Sequence, residues 1–151
     1  MNELDEIMRL MDVSFEPRWG EAWTRRQVSD ALVMPHTRAI LMNAGGQVCE
    51  RAADEAAGFV LSRHAADEEE LLLIAVDPTL RGRGIGRSLI EALFDASKAR
   101  GVKSVFLEMR KGNPAEYLYA EMGFCPIGER RDYYRLADGS RLDAITFGRS
   151  I

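Results

Sequence analysis

The sequence predicts an α/β fold of the α+β kind, one domain (residues 1–151) in which helices flank a mixed central β-sheet. Three observations carry this. Residues 71–76 are an unbroken apolar run, as in a strand buried on both faces, and they lead into a glycine-rich turn and a long amphipathic helix. Upstream the chain reads as two helices and a meander of strands, and downstream as strand and helix in alternation. Asp138-Gly139 lies between two further strand-like stretches and marks a closing hairpin.

The elements follow in order. Leu4, Ile7, Met8 and Met11 recur at helical spacing, so the chain opens in an amphipathic helix. Pro17 and Gly20 break that pattern across residues 15–23, whose Phe15, Trp19 and Trp23 suit core packing or the wall of a substrate groove. Thr24 and Gln27 have capping-box spacing and predict a helix over 25–33, ended by Pro35. Residues 37–43 read as a strand and 44–46 as a turn, while 47–57 are open between a loop and a frayed strand. Residues 58–64 and 69–76 then form an antiparallel hairpin, which Asp77-Pro78 stops because Pro78 has no N–H for a sheet. Leu89, Ile90, Leu93 and Phe94 mark the long helix, capped by Gly101. A strand over 103–109 follows, then a short helix from Pro114 to Gly123, then strands over 124–134 and 142–148.

Composition narrows the function. Hydrophobic residues make up 46% and charged residues 29%, as in a soluble globular protein. A net charge of -4 argues against a nucleic-acid binder. No apolar run spans a membrane and residues 1–11 lack the form of a signal peptide, so a cytoplasmic protein without a membrane partner is expected. Cys49 and Cys125 show no metal-site spacing, so no metal is expected, and both are read as buried or half-buried thiols. His36 and His64 are read as structural or solvent-facing.

The chemistry starts at residues 81–86, RGRGIG. Alternate glycines permit positive φ and keep Cβ atoms away from a ligand, and the following helix N-terminus offers unpaired N–H groups. Strand, glycine turn and helix start together form a cradle for a phosphate. Arg87 stands where a dinucleotide loop has its last glycine and where a P-loop has its lysine, so neither pattern is complete. Glu108, on a strand among apolar neighbours, is a candidate general base, and the phenol of Tyr119 can donate a proton to a leaving group. A salt-bridged glutamate and an interfacial core tyrosine are the alternatives. Glu69 and Glu70 either flank the cleft and hold an incoming ammonium or are a solvated strand start.

The glycine loop, R-G-x-G-I-G-x-x-L after a strand ending A-V-x-P, resembles the acetyl-CoA loop of the GNAT N-acetyltransferase superfamily. From residue 58 onward the chain resembles its RimI type, which acetylates the N-terminal alanine of a small-subunit ribosomal protein. The stretches that carry this are ELLLIAVDPTLRGRGIGRSLIEAL, GVKSVFLEMRKGN, LYAEMGF and ERRDYYRLADGSRLDA. The resemblance implies acetyl-CoA as co-substrate. Ile74 and Val76 would meet its pantetheine arm, Arg81, Gly82, Arg83, Gly84, Ile85 and Gly86 its pyrophosphate, and Asn113 would also touch it. Glu108 would be the base, acting through water, and Tyr119 the acid. Glu70, Tyr133 and Tyr134 would lie near the acceptor peptide. A protein N-terminus is the expected partner, and a monomer or weak dimer the expected state. Residues 113–119 run one residue shorter than the family pattern. A GNAT enzyme for a small amine and a non-catalytic acyl-CoA sensor are the competing readings. Glu108 with Tyr119 speaks against the sensor, and the RRDYY…DG…DA tail favours a protein acceptor.

Overall fold

The computed structural model describes residues 2–50 and 55–151. Helix α1 (Glu3–Ser14) begins at a capping box, in which the Asn2 side chain accepts from the Asp5 N–H at 2.8 Å and the Asp5 carboxylate accepts from the Asn2 N–H. Its apolar stripe buries Ile7, Leu10 and Met11. Helix α2 (Arg25–Leu32) starts at the expected Thr24–Gln27 box, with reciprocal bonds of 2.8 and 3.2 Å, and buries Val28. Strands β1 (Thr37–Met42), β2 (Gly58–Ala65) and β3 (Glu68–Val76) form the meander. The remaining elements are α3 (Ile85–Ala99), β4 (Ser104–Arg110), α4 (Glu116–Glu121), β5 (Cys125–Arg135) and β6 (Arg141–Ser150). None of the helices among the described residues is long and apolar enough to cross a membrane.

The six strands lie in the order β1-β2-β3-β4-β6-β5. Only β3 and β4 are parallel, and they pair over just three positions, Glu68–Glu70 against Ser104–Phe106. Past Glu70 and Phe106 they separate. One face of the sheet packs on α3 through Leu89, Ile90 and Leu93 against Val60, Val105 and Phe147. The other packs on α1 and α2 through Leu10, Met11 and Val28 against Phe59, Leu61 and Leu73. Each such fully buried aliphatic or aromatic side chain contributes about 1.5–3 kcal/mol, so burial on both faces fixes the sheet between two helical layers.

Four sequence expectations need correction or completion. Glu69 is neither at the cleft nor solvated: it is wholly buried, ion-paired to Arg100 and accepting from Ser97 Oγ at 3.1 Å. The parity of β3 turns it toward α3, and a buried carboxylate must find partners there. Helix α4 starts at Glu116 rather than Pro114, because the Asn113 side chain takes the Ala115 N–H at 2.9 Å and spends the first residues in a turn. Cys125 is exposed, being at the start of the sheet-edge strand β5, while Cys49 is half-buried. Within 47–57, residues 51–54 lie outside the described residues; Val48 bridges back to Met42, and the Cys49 N–H donates to Leu41 O at 2.8 Å, so the first part is a short strand-like return.

Candidate active site

The separation of β3 from β4 opens a cleft of about 910 Å³. Along it the facing edges of Leu71–Val76 and Leu107–Arg110 have no strand partner among the described residues, so the backbone N–H and C=O groups that point into it, apart from the Val76 and Arg110 carbonyls, are available to a ligand. A β-bulge sharpens this edge. Leu61 pairs with Leu73 and Ser62 with Leu71, leaving Leu72 as the extra residue. The bulge resets the alternation: Leu71 packs toward α3, Leu73 and Ala75 toward α1, and Ile74 and Val76 again toward α3. Ile74 and Val76 both line the cleft, and Ser14 Oγ donates to Val76 O at 3.2 Å.

The glycine loop closes one end. Asp77 ends β3 by accepting from both the N–H and the hydroxyl of Thr79, at 2.9 and 2.8 Å, and the Thr79 N–H holds its carboxyl below the usual range. Gly82 and Gly84 both have φ of +80°, where a side chain is strained, and a Cβ on either would meet no atom of the described residues within 4 Å. Gly84 is the N-cap of α3, and no side chain among the described residues caps that helix. Open space therefore faces an uncapped helix start, and this fits the pyrophosphate of a CoA ester. Arg81, Gly82, Gly84, Ile85 and Gly86 line the cleft; Arg83 stands outside it. Arg81 donates to Ser14 O at 3.4 Å, which ties the loop to the end of α1.

The other end is acidic and aromatic. Glu108 lines the cleft from β4 and pairs with Arg130 of β5, Nε to Oε2 at 3.4 Å. The register explains the meeting. Glu108 faces Thr146, Arg110 and Arg130 both face Ala144, and Tyr134 faces Leu142, so all four side chains share one sheet face. Burial pushes the Tyr134 phenol up to about 12, with the carboxylates of Glu108 and Glu21 adding to the effect. Tyr119, on α4, is 6% exposed and packs edge-on against Phe124. Burial, then Glu21, raises its phenol well above the ordinary range, so it is protonated at neutral pH.

Sequence reasoning missed Glu21. From the segment between α1 and α2 it accepts from Arg110 Nε and from Asn113 Nδ2, each at 3.1 Å. The Arg110 guanidinium also stacks on Trp19 at 3.7 Å. Phe15, Trp19 and Trp23 all line the cleft, and Phe15 and Trp23 pack on the α1 core as well. Nothing local marks Glu21, whose Arg110 partner lies 89 residues away. Asn113 lines the cleft with its side chain engaged by Glu21 and Ala115. Glu70 does not line the cleft; it sits where β3 and β4 still pair and is bridged to Arg63 at 2.7 Å. Tyr133 also lies outside the lining, half-exposed against the ring of Tyr134.

The acetyltransferase (GNAT) family matches residues 4–124. Among curated proteins, the [ribosomal protein bS18]-alanine N-acetyltransferase of Haemophilus ducreyi is 32% identical over 76% of this chain and 83% of its own length. The N-alpha-acetyltransferase RimI of Mycobacterium tuberculosis is 36% identical over 85% of this chain and 76% of its own. The crystal structure of the ribosomal-protein-S18-alanine N-acetyltransferase from Escherichia coli superposes with a TM-score of 0.79 and 28% identity, covering 99% of this chain and 88% of that one.

Proposed function

The chain belongs to the acetyltransferase (GNAT) family, and from that premise we propose that it moves acetyl from acetyl-CoA to the α-amine of a protein N-terminus, the alanine of a small-subunit ribosomal protein. The observation that carries the reading is the parting of β3 and β4, which puts the glycine cradle, Glu108 and Tyr119 on one cleft. The likeness to ribosomal-protein alanine acetyltransferases supports the acceptor.

The bound co-substrate supplies an activated thioester. The chain's residues do the rest. The amides of the glycine loop and the α3 start hold the pyrophosphate, and the open edge of β3 near Ile74 and Val76 holds the pantetheine arm and polarises the acetyl carbonyl. Glu108, oriented by Arg130, takes the proton of the attacking amine through water. Tyr119, kept protonated by burial, donates to the departing thiolate. No nucleophilic cysteine enters, and Cys125 lies outside the cleft lining.

An α-amine has a pKa of about 8 and a lysine ε-amine about 10.4, so far more of the α-amine is already neutral at physiological pH. The test is mass spectrometry of an Ala-first peptide with an internal lysine, incubated with enzyme and acetyl-CoA. Acetylation at the N-terminus is expected. Acetyl on lysine alone, or on neither while a free polyamine is acetylated readily, refutes the assignment.

A further inference from the structure

The tail motif RRDYY…DG…DA is not explained by the reaction chemistry, yet its two ends meet. Strands β5 and β6 pair Arg130 with Ala144 and Tyr134 with Leu142. Three residues of β5 thus stand opposite Asp143 alone, a bulge with two extra residues. A regular ladder would place Asp132, not Tyr134, opposite Leu142. The bulge therefore decides that a tyrosine faces Glu108 in the cleft.

The bulge is strained and held. Asp132 has φ of +52°, in the left-handed region that a non-glycine residue enters at a cost. Its N–H donates to the Asp143 carboxylate at 2.9 Å, and its carbonyl accepts from Arg141 at 3.5 Å. The N–H of Asp132 also holds the Asp143 carboxyl below the ordinary range, so the acceptor is ionised at neutral pH. Asp143 is tied at the backbone too, its carbonyl accepting from the Lys111 N–H just past β4 at 2.8 Å. It thus links the strand of Glu108 to the bulge that presents Tyr134.

We infer that Asp143 is a positioning residue for acceptor binding: by holding Asp132 in the left-handed conformation it sets the bulge that places Tyr134 in the cleft beside Glu108. This rests on the proposed transfer to a peptide amine. Its signature is a split between the two substrates, since the glycine loop lies at the other end of the cleft.

Steady-state kinetics on the full chain tests this with an Ala-first peptide and acetyl-CoA. Asp143→Ala is expected to raise the peptide KM by about five- to twentyfold and to leave the acetyl-CoA KM within twofold. Asp143→Asn keeps an acceptor oxygen and should recover most of the peptide KM. Asp132→Gly added to Asp143→Ala should also recover it, because glycine adopts the same φ without help. A peptide KM unchanged in Asp143→Ala, or an equal rise in both KM values, overturns the inference. If Asp143→Ala does not fold alone, Asp143→Ala/Asp132→Gly decides: a folded protein with a peptide KM within twofold of wild type supports it, and failure to fold or a raised peptide KM overturns it. A wild-type enzyme that fails to acetylate the peptide refutes the proposed function instead, so the two failures are distinct.

Discussion

Replacing Gly84 by valine separates backbone strain from ligand exclusion. Gly84 has φ of +80°, and a Cβ there meets no atom of the described residues within 4 Å. The folded protein therefore suffers only the left-handed penalty, about 1–2 kcal/mol for an L-residue. In a chain of this size that lowers Tm by roughly 2–8 °C, taking about 2–4 °C per kcal/mol. Binding suffers more, since the new side chain fills the space in front of the uncapped α3 start. Loss of two charge-assisted hydrogen bonds at about 1.5–3 kcal/mol each weakens acetyl-CoA by roughly two to four orders of magnitude. Gly101→Val is the control: its φ is +83° and it too has nothing within 4 Å, but it lies beyond the far end of α3. Calorimetric titration and thermal melts on wild type and both variants give the comparison. The expected result is a similar loss of Tm in both variants and lost acetyl-CoA affinity in Gly84→Val alone. Equal affinity in all three proteins refutes the cradle.

Tyr119→Phe keeps the packing on Phe124 and removes the proton, so kcat should fall by roughly ten- to a thousandfold with acetyl-CoA affinity unchanged; an unchanged kcat with chemistry rate-limiting assigns Tyr119 to packing. Glu69→Ala leaves Arg100, whose side chain is 12% exposed, without its ion-pair partner, and should cost about 3–5 kcal/mol in urea unfolding. A loss below about 1 kcal/mol would mean that water or Ser97 compensates. On the acid side, Asp5 is held below 3.8 by its bond from Arg25 and then by the Asn2 N–H. A lowered folded pKa stabilises above the unfolded value and is lost as pH falls through the folded one, so this share of stability is complete at neutral pH and fades below about 4. Asp5→Asn should therefore show a shallower fall of Tm between about pH 4 and 2 than wild type; identical slopes speak against the coupling.

The amino-acid sequence by itself determined the parts whose causes lie within a turn or two of chain. The Thr24–Gln27 box, the stop at Asp77-Pro78, the positive-φ glycines before α3 and the Gly123 end of α4 all stand as read, because each rests on neighbours a few residues apart. The apolar periods of α1 and α3 were legible for the same reason. Tertiary structure decided the rest. The insertion of β6 between β4 and β5 has no local signature, yet it brings Arg130 and Tyr134 to Glu108. Glu69 and Glu70 look alike in sequence, but strand parity buries one against Arg100, 31 residues on, and leaves the other with Arg63. Glu21 acquires its place only when α1 and α2 pack on the sheet and bring it against Arg110 and Asn113. The cleft itself exists because β3 and β4 stop pairing after three positions, and strand pairing is a contact between distant segments that no local pattern encodes.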